Sequence, residues 1–158
     1  MSDSPVAALP AVPGTYALLI HVNAPLTIRP GRLGTVALGR GWYVYTGSAH
    51  GPGGLRARVS RHLRRDKTRH WHIDALTCAA PVAGVWAVAA PERLECVWAA
   101  ALRALPGVQL PAAGFGASDC TCPAHLLQVP DLAAVAAALN ATLAAGHLLY
   151  LPVMRGTG

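Results

Sequence analysis

An α+β domain is the fold class this sequence predicts, on three observations. Residues 14–46 hold short runs rich in aromatic and β-branched residues, bounded by Gly and Pro, as strands require. After the glycine-rich stretch GSAHGPGG, apolar residues recur every four positions, the period of a helix face. Beyond it, one more strand-like run is followed by two helical patterns rather than by a regular alternation of strands and helices.

The elements follow in chain order. Residues 1–13 are Pro/Ala-rich and are expected to form a flexible arm. GTYALLIHV, Gly14 to Val22, reads as a strand. Thr27-Ile28 reads as a short strand before the turn at Pro30-Gly31, and Gly34 to Leu38 as another. Trp42 to Thr46 is a further strand, and Gly47 to Gly54, with four glycines and a proline, a loop. Leu55, Val59 and Leu63 mark a helix running to about Asp66, and His72 to Cys78 a short segment after it. Val82 to Ala89 is a strand. Pro91 to Leu105 is expected as a helix, with Pro91 and Glu92 suited to its first turn and Leu94, Val97, Trp98, Ala101, Leu102 and Leu105 as its apolar face. Gly114 to His125 reads as irregular. Asp131 caps a last helix reaching about Ala145.

The 158 residues suit one domain, expected over residues 14–158 with a core at about 14–130 and a helical extension at about 131–147. A hydrophobic share of 53% against 13% charged excludes a mainly disordered chain. No apolar run reaches the ~20 residues of a membrane span, and no basic segment precedes the first apolar residues as in a signal peptide. A soluble cytoplasmic protein without a membrane partner is expected. The four cysteines are then expected as reduced thiols. The net charge of +6 favours a polyanionic partner. Seven of the thirteen Lys and Arg residues lie between Arg56 and Arg69, a local patch with only Asp66 against it. A solvated helix face is the alternative reading of that patch.

Arg58 and His62 are four residues apart and share one side of the arginine helix, beside its apolar stripe. Arg56 and Arg61 project more outward. An arginine at a core edge beside a histidine suits a phosphate oxygen, or alternatively backbone carbonyls. Glu95 lies at the margin of an apolar helix face, where a carboxylate needs a metal ion or a cationic partner. Trp71 in HWHID suits stacking on a base or a place in the core, and His70 and His72 suit phosphate contacts. Cys120, Cys122 and His125 place three zinc-type ligands within six positions, next to Asp119, with a fourth to come from elsewhere, such as Cys78.

These residues stand in an order that resembles the GIY-YIG endonucleases. Gly14-Thr15-Tyr16 stands for Gly-Ile-Tyr and Tyr45-Thr46-Gly47 for Tyr-Ile-Gly. Leu55, Arg58 and His62 match the arginine helix, and Glu95 matches the single metal-binding carboxylate. YVYTGSA, GGLRARVSRHLRRDK, HWHID, Glu95-Cys96 and GFGASDCTCPAHL resemble one small branch, found alone and fused to endonuclease III-type repair enzymes. The resemblance implies a small central antiparallel sheet flanked by helices, with a C-terminal helix. It implies Mg²⁺- or Mn²⁺-dependent hydrolysis of DNA phosphodiesters, in repair or in processing structured or single-stranded DNA, with a repair protein as a further partner. Glu95 would hold the metal and Arg58 would stabilise charge on the phosphate. Tyr16 would take a proton from water with His62 lowering its pKa, and Tyr45 would position water or phosphate. Arg56, Arg61, Arg65, Lys67, His70 and His72 would contact nucleic acid. Ser48 stands where many members carry lysine, so that cation is either absent or supplied by Lys67 or Arg61. Two other readings stay open: a non-catalytic nucleic-acid-binding module, and a zinc-stabilised scaffold for a partner protein.

Overall fold

The computed structural model describes residues 5–117, 120–144 and 146–153. Asp119 and Ala145, which enter the sequence expectations, lie outside the described residues. The chain forms β1 (Gly14–Val22), β2 (Leu26–Ile28), β3 (Val36–Leu38), β4 (Gly41–Ala49), α1 (Gly54–Leu63), α2 (His72–Thr77), β5 (Val82–Ala89), α3 (Glu95–Arg103), β6 (Leu126–Val129), α4 (Leu132–Ala141) and β7 (Leu149–Pro152). Five strands make one antiparallel sheet in the order β6-β4-β1-β5-β7, and β2 pairs with β3 in a separate hairpin. The architecture is α+β, as the sequence predicts.

The central strand explains the layering. Side chains alternate across a strand, so β1 sends Tyr16, Leu18 and Ile20 to one face and Ala17 and Leu19 to the other. The first set joins Leu55 and Val59 of α1, Ile73 and Leu76 of α2, and Ile28, Val36 and Leu38 of the hairpin. The second joins Trp98 and Leu102 of α3, and Val135 and Leu139 of α4. Helices thus cover both faces, and β1 is buried along almost its whole length. Among the described residues, no helix is long and apolar enough to cross a membrane.

Several expectations are corrected. Residues 5–13 are not a loose arm. Val6 and Leu9 are buried, and the Pro10 and Val12 carbonyls accept the backbone N–H groups of Arg56 and Leu55. A helix start leaves its first amides without intrahelical partners, and α1 has no side-chain cap. The arm supplies those acceptors. The loop after β4 is shorter than predicted because β1 pairs with β4 through Ala49, in the register Gly14↔Ala49 and Tyr16↔Gly47. The helix expected from Pro91 is α3, and it starts at Glu95. The Leu94 N–H donates to the Thr15 hydroxyl, which turns the chain there. Glu95, not Glu92, therefore occupies the positive end of the helix dipole. Val97, placed on the apolar face by its spacing, is 48% exposed, while Ala99 is buried. The last helix keeps its Asp131 cap, which accepts from Ala133 and Ala134, but ends at Ala141. The chain then adds β7, an edge strand absent from the sequence reading, as is β6.

Candidate active site

The two tyrosine motifs lie side by side because of the β1–β4 register. Tyr16 faces Gly47, so Tyr45, two residues along β4, shares the face of Tyr16. Each glycine of the motifs marks a close approach. A Cβ on Gly47 would sit 2.5 Å from the Tyr16 hydroxyl, and one on Gly14 would run into the Val88 carbonyl and the Leu55 side chain. β6 pairs only with Trp42–Tyr45 of β4. Past Thr46, whose N–H still donates to the His125 carbonyl, Gly47 and Ser48 line a cleft of about 390 Å³ together with Tyr16, Tyr45, Arg58, His62, Trp71, Arg93, Glu95, Cys120 and His125. The five residues assigned to catalysis from the sequence converge there.

Their contacts set their electrostatics. The Tyr16 hydroxyl and His62 Nε2 are 2.7 Å apart and buried. Burial pushes Tyr16 up to about 12, with the Arg58 charge pulling the other way. Burial also drives His62 down to about 3, and the Lys67 charge adds to that. Tyr45 is raised for the same reason, burial first. His62, driven down by burial, is neutral at pH 7, so its help to the Tyr16 phenolate comes through the hydrogen bond and not through charge; Arg58 is the charged group that favours the phenolate. Arg58 donates to the Ser48 carbonyl at 3.2 Å and stacks on Trp71 at 4.6 Å. Glu95 accepts from the Ser48 hydroxyl. Among the described residues it has no ion-pair partner, so the alternative of a Glu95–Arg salt bridge is not realised.

The basic residues separate sharply. Arg61 forms a bidentate pair with Asp74, at 2.8 and 2.9 Å, and also contacts the Trp71 ring, at 4.5 Å. Lys67, expected at the surface, is turned inward. Its ammonium donates to the carbonyls of Arg61 and His62 and to the Thr77 hydroxyl, and its side chain is 3% exposed. Neither takes the place of a lysine after Gly47; Arg93, which the sequence reading missed, lines the cleft instead. Arg56 holds the N-terminal segment through the Leu9 carbonyl, and Arg65 donates to the Cys78 carbonyl. His72 Nδ1 accepts the Gly116 N–H. His70 is exposed beside Trp71 and lines a second, smaller recess with Arg29 and Arg69. Periodicity along α1 gave no sign of Arg93 in the cleft or Arg29 in the second recess, because both come from other segments.

The zinc-type residues also come together. Cys96, Cys120, Cys122 and His125 place their ligand atoms within 4.8 Å of one another. The fourth member is Cys96 on α3, not Cys78.

Acid should destabilise the fold through His62. Its folded pKa lies below the ordinary 6.5, so between about 3 and 6.5 the unfolded chain binds a proton that the folded chain does not. Stability then falls as pH drops through that window, by up to about 1.4 kcal/mol per pH unit. Asp74, held down to about 2 against its burial by Arg61 and backbone N–H groups, adds to the loss only below its ordinary 3.8. Melting temperatures of wild type and His62→Gln between pH 7 and 4 test this. The variant should show a shallower decline; parallel curves would place the titration on another group, such as His125, whose pKa is also lowered by burial.

No curated protein and no solved structure matches the chain. Residues 15–147 match a family described as a domain of unknown function, DUF123. That match begins at β1 and runs past α4, so it contains both tyrosines, the arginine helix, Glu95 and the cysteine cluster, and the chain belongs to the DUF123 family.

Proposed function

We propose that this chain is a GIY-YIG-type endonuclease, a divalent-metal-dependent hydrolase of DNA phosphodiesters. The observation that carries the reading is the convergence of Tyr16, Tyr45, Arg58, His62 and Glu95 on one cleft. Packing alone does not ask for that set, because it places an arginine, a carboxylate and two buried hydroxyls around one opening.

The residues divide the work. Arg58 is fixed by the Ser48 carbonyl and the Trp71 ring, so its remaining N–H groups are held ready for phosphate oxygens. Tyr16 accepts the proton of the attacking water at its hydroxyl oxygen. It must be ionised to do so, and the Arg58 charge together with a hydrogen bond from His62 Nε2 supports that form. Tyr45 orients water or phosphate beside it. Glu95 fits a hard divalent cation: it is the one carboxylate lining the cleft among the described residues, half-buried, and bound to a neutral hydroxyl rather than a cation. Mg²⁺ or Mn²⁺, when bound, would polarise the phosphate and neutralise charge on the leaving oxygen. Trp71, His70, Arg29 and Arg69 extend a stacking and cationic surface from the cleft, suited to single-stranded or distorted DNA. A repair protein that delivers such DNA fits a domain with so small a recognition surface.

Labelled single-stranded, duplex, nicked and branched DNA should be incubated with the protein in Mg²⁺ or Mn²⁺, from pH 7 to 9. Cleavage blocked by chelator is expected, with a rate rising about tenfold per pH unit as the Tyr16 phenolate fraction grows. Salt-sensitive binding without cleavage on any substrate would overturn the nuclease reading and favour a nucleic-acid-binding module.

A further inference from the structure

We propose that Cys96, Cys120, Cys122 and His125 hold one structural zinc ion, which clamps the start of α3 and the segment before β6 onto β4. This site is separate from the Mg²⁺ or Mn²⁺ position at Glu95, and the proposal does not rest on the nuclease reading.

The first argument is distance. In a tetrahedral zinc site, Zn–S bonds of about 2.3 Å and Zn–N bonds of about 2.0 Å place ligand atoms roughly 3.5–3.8 Å apart. Cys96 Sγ lies 3.8 Å and Cys120 Sγ 3.2 Å from His125 Nε2, and all four ligand atoms are within 4.8 Å of one another. Small side-chain rotations complete a closed Cys₃His set. Thiolates with an imidazole select zinc over magnesium or calcium, which prefer oxygen.

The second argument is the histidine tautomer. Thr46 Oγ1 is 3.1 Å from the Glu95 carbonyl and 2.7 Å from His125 Nδ1. A hydroxyl has one proton, and a carbonyl can only accept. With that proton on the Glu95 carbonyl, His125 Nδ1 must donate to Thr46. Nε2 is then the unprotonated nitrogen, and it faces the sulfurs. A metal-bound histidine needs this outer partner to fix its ring and tautomer.

The third argument is the chain path. Between Arg103 at the end of α3 and Leu126 at the start of β6 there is no helix or strand among the described residues. A segment of that length without regular structure is uncommon inside a compact domain unless something holds it. Cys96 stands on the first turn of α3 and the other three ligands at the far end of the segment, so one ion closes it. All three cysteines are free thiols. One disulfide would leave the third sulfur unused, whereas zinc uses all three.

The consequence concerns Glu95. It precedes Cys96, and its carbonyl is bound by Thr46, whose backbone N–H donates to the His125 carbonyl at 3.0 Å. The zinc ion would therefore hold Glu95 at the cleft through its neighbour in sequence.

The full chain should be purified without chelator, and its zinc and reactive thiols measured. One zinc per chain is expected, with three of the four cysteines protected until the metal is released. Cys78→Ser should keep the zinc; Cys122→Ser should lose it. Because a ligand variant can fail to fold, the wild-type protein should also be reconstituted with Co²⁺. Intense visible bands of tetrahedral cobalt thiolate are expected. Trace zinc with a featureless Co²⁺ spectrum, a disulfide among the three cysteines, or an iron–sulfur chromophore would each overturn the assignment.

Discussion

Glu95→Ala is expected to abolish cleavage, lowering the single-turnover rate at least about 10³-fold, or about 4 kcal/mol of transition-state stabilisation. No other carboxylate among the described residues lines the cleft, so nothing nearby can take over the cation. DNA affinity should stay within about twofold or rise slightly, because the substitution removes a negative charge from a basic surface. The fold should also survive. Glu95 contributes one side-chain hydrogen bond, from Ser48, while its backbone carbonyl still accepts from Thr46. Loss of such a bond costs about 1 kcal/mol. A variant that cleaves at the wild-type rate would place the metal elsewhere. A variant that unfolds would show that the carboxylate is structural.

The largest stability effect is expected at Asp74, a residue to which the sequence reading gave no role. Its carboxylate is fully buried and accepts from both terminal nitrogens of Arg61 and from the backbone N–H groups of His70 and Trp71. Lys67 stands 4.0 Å away. Asp74→Ala leaves the Arg61 guanidinium and two backbone amides without that acceptor, and the nearly buried Lys67 ammonium without its neighbouring counter-charge. Breaking a buried pair from one side costs about 3–5 kcal/mol. For a domain of this size that lowers the melting temperature by about 10 °C. The loss should spread to the cleft, because Arg61 and Arg58 both pack on the Trp71 ring. Thermal melts and Trp fluorescence would read both effects. Unchanged stability would mean that water satisfies the orphaned groups.

The sheet and its covering helices were legible wherever local chemistry agreed with the fold. β1 and β5 have the limits that their β-branched runs and flanking turns suggest. The Asp131 cap was visible because its physics is confined to four consecutive residues, Asp131 to Ala134. The short edge strands were not. β6 and β7 have four residues each, and their backbone partners, Trp42–Tyr45 and Gly84–Ala87, lie far away in the chain. No local period marks a strand whose existence depends on a distant edge. The N-terminal segment looked loose for a similar reason: its order comes from the amides of α1.

The candidate site divides in the same way. Residue types and their order, namely two tyrosines each near a glycine, an arginine and histidine one helical turn apart, and one carboxylate at a helix start, were written in the chain. Through the family resemblance they carry, they nominated Tyr16, Tyr45, Arg58, His62 and Glu95. Charge state and partnership were decided only in three dimensions. Burial keeps His62 neutral, Asp74 draws Arg61 into a bidentate pair, and Lys67 turns inward to bind carbonyls. Cys96 replaces Cys78 beside Cys120, Cys122 and His125 because α3 begins four residues later than its proline suggested, against Thr15 and Thr46. Covalent order and helical period act over a few residues. Desolvation, ion pairing and ligand geometry depend on which distant segments share a volume, and only the folded chain brings those together.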